Sequence, residues 1–133
     1  RTSIAEKGGA PVKKGRRIVA TVRGDIHDIG KNIVKTVLEN YGYEVVDLGR
    51  DVPPETVAQA AADRDVGLVG LSALMTTTLP AMEETVRRLR ALDNPPAVFV
   101  GGAVVTPEYA ERIGAGYARD ARQSVEIARR VLG

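Results

Sequence analysis

Residues 66–72, VGLVGLS, form a run with no polar position before its last residue. A strand with one face in water alternates polar and apolar residues. A near-continuous apolar run is what a strand buried on both faces requires. Four more short runs surround it: RIVATV (17–22), bounded by Gly15 and Gly24, YEVVDLG (43–49), AVFVGG (97–102) and the weaker GYAR (116–119). Helical patterns separate them. Ile29, Ile33, Val37 and Tyr41, with Val34 and Leu38, recur at helical spacing. Pro53-Pro54 opens a helix near 54–63, because proline is tolerated in a first turn. Leu79, Met82, Val86 and Leu89 mark a third helix with Pro80 near its start, Pro107 starts a short one to about 113, and 121–132 is the last.

Strands alternating with helices predict an α/β fold, a parallel sheet covered on both faces. Five strands suggest the flavodoxin-like (Rossmann-like) doubly wound order 2-1-3-4-5. In that order the first and third strands are neighbours and their connections leave toward opposite faces. A crevice therefore opens at their C-terminal ends, where ligands bind in such sheets. The loops expected there are Gly24-Asp25-Ile26-His27-Asp28-Ile29-Gly30, Ser72-Ala73-Leu74-Met75-Thr76-Thr77-Thr78 and Gly101-Gly102-Ala103.

The 133 residues suit one domain, and 44% hydrophobic against 27% charged residues describe a globular chain. Aromatics make up 4%, so the core must be aliphatic. Without cysteine there is no disulfide, thiolate zinc site or Cys nucleophile, and the cytoplasm is the default compartment. The pI near 9.1 does not point to nucleic acid. Arg1, Lys7, Lys13, Lys14, Arg16 and Arg17 face only Glu6 in the first 17 residues, and the remainder is net acidic. Residues 1–15 thus read as a basic flexible linker ahead of a domain at 16–133. No aromatic stripe offers a base-stacking surface, and no apolar run reaches the ~20 residues of a membrane span.

Several phosphate chemistries fail on spacing. Gly24 and Gly30 enclose five residues rather than a P-loop's four, and Asn32 stands where a magnesium-binding Ser or Thr belongs. No G-x-G-x-x-G follows a strand. A response regulator needs an Asp after the third strand and a Lys after the fifth, where this chain has Ser72 and Arg119. His27, the single histidine, is more suggestive. It can be an exposed loop residue that caps the helix. It can also be a metal ligand, with Asp25 accepting its other ring N–H. One imidazole with no cysteine cannot build a protein metal cage. A metal at His27 would need a cofactor that brings the remaining ligands, a macrocycle, and Gly30 would let it approach closely. The glycines at 67, 70, 101 and 102, with Ser72 and Ala73, can shape a slot or simply turn and pack the chain. Thr76, Thr77 and Thr78 can cap the third helix or bind a ligand.

DIHDIG, then GLSALMTTT, then VFVGGA, in that order and on those strand ends, resembles the cobalamin (B12)-binding domain of corrinoid proteins of the methylamine and methanol methyltransferase type. It is similar also to the B12 domain of methionine synthase. The family's D-x-H-x-x-G falls on Asp25, His27 and Gly30, its S-x-L on Ser72 and Leu74, and its G-G on Gly101 and Gly102. The resemblance runs from about Lys14 to the C-terminus. It implies cobalamin bound with its own benzimidazole displaced and His27 as the lower axial ligand of cobalt. The loop residues Asp25, Ile26, Asp28, Ile29 and Gly30 would contact the cofactor, with Met75, Thr76 and Ala103. The nucleotide tail would enter a slot lined by Ser72, Leu74, Gly101, Gly102 and Tyr117. Asp25 would hold His27, and Thr78 would complete a His–Asp–hydroxyl relay where the methionine synthase branch uses Ser.

The resemblance also implies a role. Such a protein carries a methyl group on cobalt, passing between methylcobalamin and Co(I), and is not an enzyme by itself. A substrate:corrinoid methyltransferase would load it and a second methyltransferase, with a thiol or folate acceptor, would unload it. A reductive activase would serve it. Axial ligation must weaken in each cycle, and protonation of the coupled His27–Asp25 pair would favour the unligated state. Relatives carry a helical bundle ahead of this domain. Other uses of the same domain are a methionine synthase module, a mutase subunit and a B12-dependent sensor.

Overall fold

The computed structural model describes residues 16–64 and 66–132, so the basic segment 1–15 lies outside the described residues. The elements are β1 (Arg16–Thr21), α1 (Ile29–Asn40), β2 (Glu44–Asp47), α2 (Pro54–Arg64), β3 (Leu68–Ser72), a 3-10 turn (Thr76–Thr78), α3 (Leu79–Arg90), β4 (Ala97–Gly101), α4 (Pro107–Ile113), β5 (Gly116–Tyr117) and α5 (Ala121–Leu132). The strands form one parallel sheet in the order β2-β1-β3-β4-β5, as the alternation predicts. The expected edges differ by at most two residues. Val22 leaves β1 to form an isolated bridge with Val52, and β5 keeps only Gly116 and Tyr117.

The two faces of the sheet are unequally filled. Ile18, Ala20, Val69, Leu71 and Val100 point toward α2, α3 and α4 and join an eighteen-residue buried cluster with Val57, Met82, Val86, Leu89 and Ile113. Among the described residues, the apolar cluster against α1 and α5 has six buried members: Leu38, Leu68, Phe99, Ala118, Val125 and Ala128. The thinner face is where the structure leaves a cavity. Part of the reason is Gly70. A Cβ there would lie 2.4 Å from the Phe99 ring, so the bare position lets the chain's single phenylalanine lie across the sheet.

Helix α1 turns an unexpected face inward. Lys31 and Leu38 are buried and Val34 is half-buried, whereas Ile29 (77%), Ile33 (52%) and Tyr41 (55%) of the periodic stripe are exposed. Burial of Lys31 is compensated by an ion pair, its Nζ lying 2.7 Å from Asp47 Oδ1 and 3.7 Å from Asp28 Oδ2. That pair ties the first turn of α1 to the end of β2.

The turns at the C-terminal edge are tightly cross-bonded. Val22 N–H donates to Ser72 O and Thr21 N–H to Gly49 O. Thr21 and Ser72 hydroxyls lie 3.0 Å apart. Gly24 N–H donates to Asp51 Oδ1 at 2.7 Å, while Asp51 N–H donates to Asp25 O at 3.0 Å. Asp51 adopts φ +54, in the left-handed region that Asp tolerates better than most residues. On the opposite side, Thr106 caps α4, and the Tyr109 hydroxyl of that helix donates to Leu79 O at the start of α3.

Candidate functional site: a histidine held over a cavity

The loop after β1 folds back so that Asp25 is fully buried and His27 stays half-exposed. Asp25 Oδ1 accepts the backbone N–H of His27 at 3.1 Å and lies 2.8 Å from ring Nδ1. Asp25 Oδ2 accepts from Leu74 N–H at 2.7 Å, Met75 N–H at 3.2 Å and the Thr78 hydroxyl at 3.0 Å. Burial alone would push this carboxyl up. The donors from Leu74, His27 and Thr78 outweigh burial and hold it down to about 2. An ionised carboxylate can only accept, so Nδ1 of His27 carries the proton of the ring. In the neutral imidazole the free lone pair is therefore on Nε2. That nitrogen has no hydrogen-bond partner among the described residues, and it is on the ring edge opposite Asp25. The helix-capping alternative for His27 is not realised: Asp28 occupies the N-cap of α1, with no side-chain cap bond.

Thr78 is buried and stands at the N-cap of α3, yet it does not cap the helix. Its single hydroxyl proton faces two acceptors, Asp25 Oδ2 and Met75 O at 2.7 Å. Of the two readings open for Thr78, helix capping is not realised: its hydroxyl is turned toward Asp25 and Met75 O and accepts no N–H of α3.

Two cavities meet here. One, of about 500 Å³, is lined by Ile26, His27, Asp28, Ile29, Gly30, Ser72, Ala73, Leu74 and Gly102. The other, of about 530 Å³, runs down the thin face of the sheet between α1 and α5, past Val19, Lys31, Val34, Phe99 and Ser124 to Tyr117, and includes Gly101 and Ala103. They share Gly30, Ser72, Leu74 and Gly102. Both volumes lie within the range of small-molecule sites. Asp25, Met75, Thr76 and Thr78 line neither cavity. Asp25 and Thr78 act from beneath through His27, and Met75 contributes its backbone N–H. Thr76 is exposed on the same loop.

The glycines divide into two kinds. A Cβ at Gly101 would come 2.6 Å from Ala118 O, and one at Gly102 would come 1.9 Å from Ala73 O with φ at +125. The chain's own packing demands these two, whatever binds beside them. Gly30 differs. Nothing lies within 4 Å of the Cβ it lacks, although it sits in a helix, where Ala would be favoured. Its missing methyl leaves open the place where the two cavities join.

Among the described residues, no group of three His, Asp or Glu side chains is placed to hold a metal ion. A metal at Nε2 of His27 would take its other donors from a bound group. The profile of the family described as "B12 binding domain" matches residues 15–126. The chain belongs to that family. Its cofactor is cobalamin, and the residues fit it: an unpartnered imidazole nitrogen, a cavity over it and a second cavity leading away beside an unfilled glycine. This B12-binding domain is 43% identical over 132 residues to dimethylamine corrinoid protein 3 of Methanosarcina mazei, covering 97% of this chain and 79% of that one. A cobalamin-binding protein from Desulfitobacterium hafniense DCB-2 has a similar structure, with TM-score 0.85 and 40% identity, covering 91% of this chain and 60% of that one. The methanol:cobalamin methyltransferase complex of Methanosarcina barkeri contains a chain matched at TM-score 0.85 and 35% identity, covering 88% of this chain and 46% of that one. The domain thus spans between about half and four-fifths of these relatives' lengths. No helix among the described residues is long and apolar enough to cross a membrane.

The site contains residues that sequence motifs did not single out. Lys31 is one, although a lysine following the glycine of a cavity wall is a visible oddity. Phe99 and Ser124 are others, brought to the tail cavity by β4 and α5. Leu74 and Met75 are expected from the sequence, but the backbone N–H groups they donate to Asp25 are not, because side-chain identity carries no signal for them.

Proposed function

We propose that this domain carries a methyl group on bound cobalamin between two methyltransferases, with Nε2 of His27 as the lower axial ligand of cobalt. The observation that carries the reading is the Asp25–His27 pair, in which a buried carboxylate keeps the ring proton on Nδ1 and leaves Nε2 as a lone-pair donor beside the cavity. Relatives named as dimethylamine corrinoid proteins, and a methanol:cobalamin methyltransferase complex, support the methyl-carrying role. Bound cobalamin supplies the metal-centred nucleophile, and the protein holds and tunes it.

The chain's own part is proton placement. A proton arriving at Nε2 removes the lone pair and makes an imidazolium, which the ionised Asp25 stabilises across the 2.8 Å contact. Its departure restores the ligand. Thr78 can lend its proton to Asp25 or to Met75 O, so it adjusts how strongly Asp25 holds the ring. The slot beside Val34, Phe99 and Tyr117 takes the nucleotide tail, and its mostly apolar wall suits a planar base. One methyltransferase would load the methyl group and a second, with a thiol or folate acceptor, would remove it, and a reductive activase would be a further partner.

Incubation with hydroxocobalamin and methylcobalamin, followed by dialysis, tests the reading. The expected result is a coloured protein whose spectrum shows benzimidazole displaced. In the paramagnetic one-electron-reduced form, nitrogen coupling to cobalt should change when the protein is labelled with ¹⁵N. His27→Ala should retain cobalamin but lose that coupling. A colourless dialysed protein, or coupling indifferent to the label, would defeat the proposal.

A further inference from the structure

Asp25 is held from two directions. Its side chain is fixed by the loop after β3, through Leu74, Met75 and Thr78. Its backbone is held by Val22 O, which accepts Asp25 N–H at 3.1 Å, and by the loop after β2, whose hydrogen bonds to residues 24 and 25 run through one residue. Asp51 Oδ1 accepts Gly24 N–H at 2.7 Å, and Asp51 N–H donates to Asp25 O at 3.0 Å. The two bonds run in opposite directions and hold the peptides on either side of the Gly24–Asp25 unit, so they bracket the backbone of residues 24 and 25. To make both, Asp51 takes φ +54, and Gly24 takes φ +88. A non-glycine residue in the left-handed region persists where its surroundings over-determine it. Here the reciprocal bonds are those surroundings.

We propose that Asp51 is a positioning residue, which sets the direction of the His27 ring by bracketing the backbone of Gly24 and Asp25. Ring orientation depends on Asp25 Oδ1, because that oxygen bonds both the backbone and Nδ1 of His27. A shift of the backbone at residues 24 and 25 would displace Oδ1 while Oδ2 stayed anchored to the β3 loop, and the 2.8 Å contact would lengthen. The Gly24–Asp51 bond is exposed, so its loss leaves no buried unsatisfied group and little stability depends on it. The purpose of the clamp rests on the proposed ligation of cobalt by His27, while the clamp itself is independent of it.

Three variants separate the possibilities. Asp51→Asn keeps a carbonyl acceptor and tolerates the left-handed conformation. Asp51→Gly keeps the backbone conformation and loses the acceptor. Asp51→Ala loses both, and the first two decide the matter even if it does not fold. In the cobalamin-free protein, the amide exchange of Gly24 and the Nδ1–H resonance of the single histidine are read by NMR. In the loaded protein, the ratio of nitrogen-ligated to unligated cobalt is read from spectra. With Asp51→Gly, Gly24 exchange should accelerate, the His27 resonance should move, and the ligated ratio should fall roughly fivefold to tenfold at unchanged melting temperature. Asp51→Asn should recover most of each. A His27 resonance unmoved in Asp51→Gly, or a change in melting temperature with the ligated ratio constant, refutes a positioning role. If the wild-type protein shows no nitrogen ligation, the proposed function fails and the cobalamin-free resonance alone decides for or against the clamp.

Discussion

Replacing Asp25 by Asn preserves shape, removes a charge and exchanges one acceptor for a donor. All five groups around the carboxylate are donors: His27 N–H and Nδ1–H at one oxygen, Leu74 N–H, Met75 N–H and the Thr78 hydroxyl at the other. An amide must set its NH₂ against at least two of them. The less costly orientation keeps the oxygen with the three donors and turns the NH₂ toward His27. The ring can then accept at Nδ1 only by moving its proton to Nε2, and the lone pair assigned to cobalt is lost. Stability changes with a definite sign. The Asp25 pKa is depressed from 3.8 to about 2, so its contribution is complete above about pH 4 and disappears as pH falls through 2. That difference, at roughly 1.4 kcal/mol per unit, makes about 2 kcal/mol at neutral pH. Asp25→Asn should be less stable by that amount in urea unfolding at pH 7, and the two proteins should converge as the pH approaches 2. Imidazole ¹⁵N spectra of the single histidine should show the Nδ1–H tautomer in the wild type and Nε2–H in the variant. Equal stability at pH 7, or an unchanged tautomer, would refute this account of how the ligand nitrogen is kept free.

Gly30→Ala should have opposite effects on the two states. The cobalamin-free protein should gain up to about 1 kcal/mol from helix propensity, while the methyl placed where the cavities join should weaken cobalamin binding about tenfold or more, measured by equilibrium dialysis. Gly102→Ala should destabilise the cobalamin-free protein by at least about 2 kcal/mol in urea, since its Cβ meets a backbone carbonyl at a positive φ. A normally stable variant would show that this glycine serves the ligand alone. Thr78→Val should lose about 1 kcal/mol and shift the acid transition of Asp25 to higher pH, with Thr78→Ser restoring both.

The strand order was legible because it follows from local periodicity and chain connectivity. The buried run at 66–72 admits a parallel sheet, and short right-handed connections then leave few orders for five strands. The positions of Asp25, His27 and Gly30 were legible for the same reason: they lie within six residues at the end of one strand, so their proximity is covalent. Helix α1 shows where periodicity stops informing. Ile29, Ile33 and Tyr41 mark a helix correctly, but which side of it meets the sheet was decided by Leu38, Val34 and the Lys31–Asp47 ion pair.

By itself, then, the amino-acid order determined the fold class, the edge of the sheet that carries the site and the imidazole at its centre. Tertiary structure decided what makes that imidazole useful. Three of the five donors to Asp25 come from residues about 50 positions away, and two of those are backbone N–H groups that any side chain would supply. Tertiary structure also separated Gly30, which leaves space, from Gly101 and Gly102, which avoid collisions. Such contacts join segments distant in the chain, so only the folded arrangement of the strand ends determines them.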